Sequence, residues 1–350
     1  MNRDPTKYCI SVLNNYENDL WDEWVINYFK GSIYHNINWL KAMELNSGMK
    51  LQLLAVWPIK KEKIPLAILP VFNFKKWPLR AAFSPAPGCD TPYLGPLFKV
   101  DLDSHKNKLI IPEIQSALVD YLLNQGVNFI KLRTTPDQQD FRGFLWTGCQ
   151  VRPQYEYEVN IGISANQLFQ DFPGDTRTKI RRAQKYDQLE FQFGGIDCAL
   201  EVFYLIRERF KEQGIQWQLK ESYIKNIFKS FHPSKVQAVI AKYDGEAIGG
   251  LVFYKHNDSL VDWIGGVNPK QNISGLNELL HWKIIEWGQQ NRCSTYNLGG
   301  ANTMHLCKPK SKYSPELVNY SEITKGTSIY ALINNIAKWP VIRNFLHKIK

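Results

Sequence analysis

Residues Val236–Gly300 read VQAVIAKYDGEAIGGLVFYKHNDSLVDWIGGVNPKQNISGLNELLHWKIIEWGQQNRCSTYNLGG, and they decide the fold of this chain. The pairs Asp244-Gly245 and Asn257-Asp258 separate apolar runs and therefore predict two hairpin turns. A loop at Asn268–Gly275 then leads into a long helix, which a short strand follows. Free backbone N–H groups at the start of that helix can hold a phosphate. The stretch predicts an α/β unit with a candidate anion site.

Length and composition indicate a globular protein of two domains. A chain of 350 residues is too long for one ordinary core. Its 44% hydrophobic and 22% charged residues can fill two cores and exclude wholesale disorder. The net charge of +10 favours a polyanionic partner: a phosphorylated nucleotide carrier, a tRNA or an anionic membrane surface. Charge alone does not choose among them.

Cysteine usage and hydropathy point to the cytoplasm. The six cysteines lie far apart without a CxxC pair, so neither a metal site nor a disulfide framework is expected. The first twenty residues contain acids and no apolar core of a secretory signal. No window approaches the roughly 18 uninterrupted apolar residues of a membrane-spanning helix.

The two halves of the chain repeat one order of elements. A hairpin at 51–74, a helix at 111–124 and a strand at 127–133 match a hairpin at 236–256, a helix at 276–290 and a strand at 294–298. This order predicts a duplicated α/β unit, with coincidence of ordinary elements as the alternative. We expect an N-terminal domain at 1–162, a C-terminal domain at 163–328 and a basic amphipathic helix at 329–350. Outside the repeat, residues 18–45 are predicted to be helical and Ser84–Phe98 to be a loop of fixed shape.

Three patches resemble the FemAB-like branch of the GNAT acyltransferase superfamily, including the BioF2-like acetyltransferases. They are TPYLGPLF (Thr91–Phe98), TRTKIRRAQKY (Thr176–Tyr186) and NELLHWKIIEWGQQNRCSTYNLGGA (Asn277–Ala301). A weaker patch, KSKYSPELVNY at Lys310–Tyr320, is similar to the family's FK-x-x-F segment. The resemblance implies an α/β fold with mixed sheets, built as tandem GNAT-like domains with a cleft between them. It also implies transfer of an acyl or aminoacyl group onto an amine.

The resemblance implies a donor site in the C-terminal half. Two parallel strands, here Leu260–Val267 and Ser294–Leu298, would separate around the donor's pantetheine arm. The loop before the helix would hold the pyrophosphate of acyl-CoA, with the cofactor-binding residues Gln271, Asn272, Ser274 and Gly275. The glycines of the superfamily pattern are mostly missing, so a plain loop with Ser274 as helix N-cap is the equal alternative.

The same resemblance assigns an anionic acceptor to the basic residues. On the predicted helix, Lys179 and Arg182 share one face and Arg181 lies on an adjoining one, so they either capture phosphate or form a solvated surface. Lys310 lies near the position of the family's FK lysine. Thr91 and Tyr93 complete the substrate-binding set.

Candidates for proton transfer are few. They are Asp262, Tyr296, Asn297 and His305. Asp262 is a carboxylate in an apolar strand, and Asn297 stands where relatives have an acid, so it can orient a group but cannot be a base.

The resemblance implies acetyl transfer from acyl-CoA to an amino group of a cell-envelope polysaccharide or peptidoglycan precursor. An aminoacyl-tRNA-dependent transferase and a non-catalytic binding member remain the alternatives. The C-terminal residues 330–350 either dock on their own domain or lie on the inner face of an anionic membrane.

Overall fold

The structure is a computed structural model that describes residues 7–13, 18–60, 63–100, 102, 108–268, 270 and 273–337. These residues form two compact units. The first comprises the chain up to Pro87, then Thr91–Pro153, and the segment from Tyr320 onward. The second comprises Gly88–Asp90 and Gln154–Asn319. The domain boundary at residues 162 and 163 stays a prediction.

The described chain contains strands β1 (Tyr8–Val12), β2 (Lys50–Pro58), β3 (Ala67–Lys76), β4 (Leu79–Ser84), β5 (Leu97–Phe98), β6 (Phe129–Arg133), β7 (Gln150–Asn160), β8 (Leu189–Gly194), β9 (Val236–Tyr243), β10 (Glu246–His256), β11 (Ser259–Val267), β12 (Thr295–Gly300) and β13 (Glu316–Gly326). Its α-helices are α1 (Asn18–Asn27), α2 (Ile37–Ser47), α3 (Ile110–Asn124), α4 (Arg142–Trp146), α5 (Ala165–Asp171), α6 (Gly174–Ala183), α7 (Ile196–Glu212), α8 (Glu221–Ser230), α9 (Leu276–Gln290), α10 (Met304–Lys310) and α11 (Ser328–Ala337).

Each unit contains a mixed sheet in which six strands follow the same order of connections. In the first unit the strands run β1-β2-β3-β4-β6-β13, and β5 pairs with β3. In the second they run β8-β9-β10-β11-β12-β7. Three antiparallel strands, a helix (α3 or α9) and a parallel strand (β6 or β12) therefore recur in both units. The predicted duplication and the predicted α/β class with mixed sheets are confirmed.

The first unit departs from the sequence prediction near its start. The helix expected over residues 18–45 is interrupted, because α1 ends at Asn27 and Lys30 adopts a left-handed conformation with φ 47°. A methyl group at Gly31 would lie 2.5 Å from Val25 Cγ1, so the chain can turn this tightly only at a glycine. The N-cap residue of helix α2 is Asn36, whose side-chain oxygen accepts a hydrogen bond from the backbone N–H of Asn38.

Strands β1, β4 and β13 were not expected from the sequence. β4 pairs in parallel with β6, from Ala81↔Phe129 to Ser84↔Leu132. The predicted loop of fixed shape follows β4, and Leu94 N within it donates to Arg133 O at 3.0 Å. That bond ties the loop to β6.

The core of the second unit lies between its sheet and α9. Leu280, Ile284 and Ile285 are fully buried on that helix, at the spacing of one helical face. The bounds of α9 agree with the prediction of a helix over 276–290. The packing of this buried face therefore holds the N-terminal end of α9 beside the sheet.

The predicted C-terminal helix is only partly visible. α11 covers Ser328–Ala337, and residues 338–350 lie outside the described chain. None of the helices in the described ranges has the length and apolar character that crossing a membrane requires.

Candidate active site

The parallel strands β11 and β12 separate part of the way along their length. They pair as far as Val261 and Asn297. β11 continues to Val267 and β12 to Gly300 without further pairing between the two strands, both of which are described in full. Backbone N–H and C=O groups that face the opening therefore lack a strand partner and can bond an extended ligand.

A β-bulge lies on each strand where the pair opens. On β11, Asp262 pairs with Phe253 but Ile264 pairs with Val252, so Trp263 is an extra residue. The register between β12 and β7 shifts in the same way between Asn297 and Gly299. Bulges bend a strand and increase its twist, which gives a physical reason for the separation.

Gly299 leaves open space at the mouth of this separation. Its φ is +73°, in the left-handed region that side chains disfavour. A methyl group there would lie 3.6 Å from Lys310 Nζ and 3.8 Å from the backbone oxygen of Asp262. The glycine thus keeps clear a space that these two residues border.

Asn297 holds an acid that comes from a different strand. Its Nδ2 donates to Glu156 Oε2 on β7 at 2.8 Å, and its Oδ1 accepts from Gly299 N at 2.6 Å. Glu156 is 1% exposed. Burial raises the pKa of Glu156 to about 7, although the bond from Asn297 and the charge of Lys310 act in the opposite direction. The site therefore contains a carboxyl group although position 297 carries an amide.

Asp262 is the first residue of β11 beyond the paired segment. The residue as a whole is partly exposed, but its Oδ1 is buried. Within the described residues, neither Asp262 Oδ1 nor Glu156 Oε1 has a hydrogen-bond partner. Burial raises the pKa of Asp262 to about 6, against the lowering effect of Lys310. Two unsatisfied carboxyl oxygens in one region are unusual unless a ligand or water bonds them.

Lys310 supplies the positive charge for both acids. Its Nζ donates to Gly300 O at 2.9 Å. Burial lowers the pKa of Lys310 although Asp262 and Glu156 raise it. With all three groups ionised, the cluster carries one net negative charge, which suits a cationic ligand. The predicted contact of Lys310 with a carrier phosphate stays a prediction.

Tyr296 lies in the core next to this cluster. It is fully buried, and its hydroxyl lies 2.8 Å from His281 Nδ1. Burial lowers the pKa of His281 to about 3, and the charge of Lys310 acts in the same direction, so the imidazole is neutral. The ring of Tyr313 lies 5.0 Å from that of His281. The three rings pack against one another in the core near Asp262. This packing favours a structural role for Tyr296.

The structure places the remaining predicted residues elsewhere. His305 is exposed on α10. Thr91 is buried in the first unit, and the Tyr93 ring packs edge-on against Tyr34 at 5.7 Å and Tyr320 at 5.5 Å. Their predicted roles in catalysis and substrate binding stay predictions.

The donor loop is visible only at its end. Gln271 and Asn272 lie outside the described residues. The alternative in which Ser274 caps α9 is wrong, because the N-cap is Gly275 with φ +90°. The cofactor-binding role of Ser274 and Gly275 stays a prediction. A methyl group on Gly275 would lie 2.2 Å from the backbone oxygen of Lys179. The start of α9 therefore packs directly against the backbone of the basic helix α6.

Ion pairs and a ring contact hold part of the basic helix. Lys179 Nζ bonds Asp175 Oδ2 at 2.8 Å and lies 3.9 Å from Glu278 Oε1 on α9, which also accepts from Lys312 at 3.0 Å. The Arg181 guanidinium lies 5.2 Å from the centre of the Phe169 ring. Arg182 is exposed. Lys179 thus joins α6 to α9, and the two arginines present charge outward.

Sequence reasoning missed Glu156, His281 and the pairing of Glu278 with lysines. Glu156 and Glu158 alternate with tyrosines in YEYEV, a pattern that usually marks a solvated strand face. Only the pairing of β7 beside β12 shows that one of these acids is buried. The alternation of two glutamates with tyrosines was the available signal, and it does not show which side of the strand is buried.

Replacing Glu156 by Gln is expected to change how stability depends on pH. The folded-state pKa of about 7 exceeds the ordinary 4.5, so the native protein holds an extra proton between these values and loses stability as the pH rises through them. By pH 8 the ionised acid costs on the order of 3 kcal/mol, which the Glu156→Gln variant does not lose. Urea unfolding at about pH 5 and pH 8 measures this. Glu190→Gln, an exposed position on β8, is the control, and a Glu156→Gln variant with the wild-type pH dependence would contradict the assignment.

Comparisons with known proteins agree with this geometry. The family model for an acetyltransferase (GNAT) domain matches residues 171–305, which include the separated strands and α9. A search of curated proteins gave no match. The fold is similar to the crystal structure of FemX, at 12% identity and a TM-score of 0.66 over 89% of this chain and 96% of that one.

Two further solved structures share the fold. One is a tandem GNAT protein from the clavulanic acid biosynthesis pathway, at 10% identity and a TM-score of 0.55 over 91% of this chain and 98% of that one. The other is the C-terminal domain of a proposed lysylphosphatidylglycerol synthetase from Agrobacterium fabrum, at 10% identity and a TM-score of 0.51 over 84% and 89% of the two chains. Residues 171–305 therefore match an acetyltransferase (GNAT) domain, and the fold of the chain is similar to those of FemX and of a tandem GNAT protein.

Proposed function

We propose that this protein transfers an acyl group, most simply acetyl, from acyl-CoA to an amino group of a cell-envelope polysaccharide or peptidoglycan precursor. The observation that carries the proposal is the opening between β11 and β12, with the Glu156–Asp262–Lys310 cluster at its mouth. The opening suits an extended donor, and the cluster suits an amine.

The residues present fit a thioester donor. The backbone of residues 263–267 on β11 faces no partner from β12 and can bond the donor along its length. Gly299 keeps the mouth of the opening clear. The N–H groups of the first turn of α9 have no partner within the helix, so they can contact a phosphate, and Lys179 and Lys312 flank this turn. Acyl-CoA would supply a reactive carbonyl there.

The cluster gives the amine a proton acceptor. An acceptor amine that binds as an ammonium ion meets the unsatisfied oxygens of Asp262 and Glu156. It must lose a proton before its lone pair can attack a carbonyl, and the carboxylate of Asp262 takes that proton. The amide C–N bond then forms as the C–S bond of the thioester breaks, and the leaving CoA thiolate takes up the second proton that the amine nitrogen loses. A carboxyl pKa near 6 suits a base that works near neutral pH. The positive charge of Lys310 favours the ionised form of both Asp262 and Glu156.

The exposed arginines of α6 support an anionic acceptor. Arg181 and Arg182 lie on α6 two and three residues after Lys179, which contacts Glu278 on α9. We therefore expect them close to the proposed donor phosphate site. Guanidinium groups bind phosphate with two parallel hydrogen bonds. A nucleotide-linked or lipid-linked precursor carries such phosphates.

Substituting Gly299 by Ala is expected to weaken acetyl-CoA binding about tenfold or more, because the new methyl group enters the proposed donor space. Calorimetric titration of acetyl-CoA into the full chain measures this. The matched control is Gly245→Ala, which has the same kind of positive φ, +80°, but no atom within 4 Å of the added methyl. Equal acetyl-CoA affinity in the two variants would contradict the proposed donor site beside Gly299.

Transfer from aminoacyl-tRNA is the second candidate. The net charge of +10 and the fold shared with the proposed lysylphosphatidylglycerol synthetase domain support it. Thermal shift with acetyl-CoA, CoA and tRNA at two salt concentrations separates the donors, since a ligand of the native state raises its stability. A strongly salt-dependent response to tRNA alone would favour this candidate. No response to any donor would favour a non-catalytic binding protein.

A further inference from the structure

The turn between β3 and β4 exposes a large aromatic side chain. Trp77 is 92% exposed, whereas Trp39 in the same unit is completely buried. Lys75, Lys76 and Pro78 beside Trp77 are exposed as well. A tryptophan left almost entirely in water is a large uncompensated apolar surface, which in proteins commonly marks a site of interaction.

Hydrogen bonds fix the position of this turn. Asn128 Nδ2 donates to Pro78 O at 2.9 Å, and Arg80 N donates to Asn128 Oδ1 at 3.1 Å. Asn128 itself is buried. The turn is therefore held rigidly at the end of the sheet, with Trp77 pointing away from its own core.

The start of α11 lies at the same end of the sheet. Thr327 N donates to Asn128 O at 3.0 Å, and the Tyr330 ring stacks on Phe129 at 4.2 Å. This anchored helix leaves Ile329 57% exposed and Leu332 62% exposed. Asn128 and Phe129 thus hold both the β3–β4 turn and the start of α11 at one end of the sheet. Each of these two segments carries exposed apolar side chains. We call Lys75, Lys76, Trp77, Arg80, Ile329 and Leu332 the Trp77 surface.

The charge around this surface has one sign. The sequence from Asn73 to Ala82, NFKKWPLRAA, contains three cations and no acid. A second copy of this chain would bring the cationic surface onto itself. A partner with a dense negative charge and an apolar layer beneath it is complementary.

We propose that the Trp77 surface rests on an anionic lipid bilayer. Tryptophan prefers the boundary between lipid headgroups and acyl chains, where its ring is buried and its N–H remains hydrated. Lys75, Lys76 and Arg80 are attracted to anionic headgroups, while Ile329 and Leu332 enter the same boundary. The contact is peripheral and reversible.

Sedimentation of the full chain with phosphatidylcholine vesicles, with and without phosphatidylglycerol, tests this surface. Wild type is expected to bind the phosphatidylglycerol vesicles and to lose binding at high salt. Trp77→Ala should weaken partitioning about tenfold or more, from the lost apolar burial. The double variant Lys75→Gln/Lys76→Gln should weaken it roughly thirtyfold, from two lost charges.

The controls use equivalent residues elsewhere. Trp146→Ala removes a tryptophan that is 52% exposed, and Lys229→Gln/Lys235→Gln removes two exposed lysines. Both should bind vesicles as wild type does, and all variants should keep the wild-type Tm. The proposal is overturned if the wild-type protein does not bind anionic vesicles. It is also overturned if the Trp77 and Lys75/Lys76 variants bind these vesicles as well as their controls do. A dimer that depends on Trp77, without vesicle binding, would also overturn it and would assign the surface to a second copy. None of these outcomes depends on the proposed acyl transfer.

Discussion

Replacing Asp262 by Asn is expected to lower kcat for acetyl transfer about a hundredfold to ten-thousandfold, the contribution typical of a positioned general base. Asp262 lies at the point where β11 and β12 separate, with a buried oxygen that has no hydrogen-bond partner among the described residues. The Asn side chain keeps the shape but accepts no proton. Release of CoA thiol, with amino sugars and nucleotide-linked peptidoglycan precursors as acceptors, measures the rate.

The pH profile separates a base from a merely structural residue. The wild-type rate should fall as the pH drops below about 6, because protonated Asp262 cannot take up the proton of the amine. The Asn variant should lose this acid limb. Asp244→Asn, in the exposed β9–β10 turn, is the matched control and should retain the full rate. A wild-type rate in the Asp262 variant, or an unchanged acid limb, would contradict the assignment of Asp262 as the base.

Gly275→Val is expected to destabilise the second unit by about 2 to 5 kcal/mol. A left-handed conformation costs a side chain roughly 1–2 kcal/mol, and overpacking commonly adds about 1–3 kcal/mol. Here the first carbon of the new side chain would lie 2.2 Å from the backbone oxygen of Lys179. Because that oxygen belongs to the backbone of α6, relief requires the two helices to move apart.

Urea unfolding monitored by circular dichroism measures the loss of stability. Gly214→Val provides the control, since its φ is +68° and no atom lies within 4 Å of an added methyl group. The free energy of unfolding of Gly214→Val should fall by about 1–2 kcal/mol, the cost of the left-handed conformation alone. Equal losses in the two variants would show that α6 does not pack closely on the start of α9.

Local sequence signals predicted the second unit well. The pairs Asp244-Gly245 and Asn257-Asp258 mark its hairpins, and Asp244 and Asn257 take the left-handed conformations that such turns require. The apolar periodicity of 276–290 gave the bounds of α9. These features depend on residues near one another in sequence, so a single sequence can reveal them.

Features that depend on distant partners could not be predicted. β13 is polar along much of its length and becomes a strand by pairing with β6, where Glu322 lies opposite Arg133. In the same way, the amide at Asn297 suggested that the site lacks an acid. Glu156 reaches Asn297 from a strand 141 residues earlier. Such a contact leaves no mark on the local pattern of either segment.

Hydrogen–deuterium exchange with and without acetyl-CoA tests the central claim most directly. If the opening between β11 and β12 holds the donor, acetyl-CoA should slow exchange of those backbone amides of residues 263–267 that face the opening rather than β10. The paired segment Ser259–Val261 should change little, because its amides already lie within the sheet. Unchanged exchange at 263–267 under saturating acetyl-CoA, or protection confined to other parts of the chain, would contradict the account.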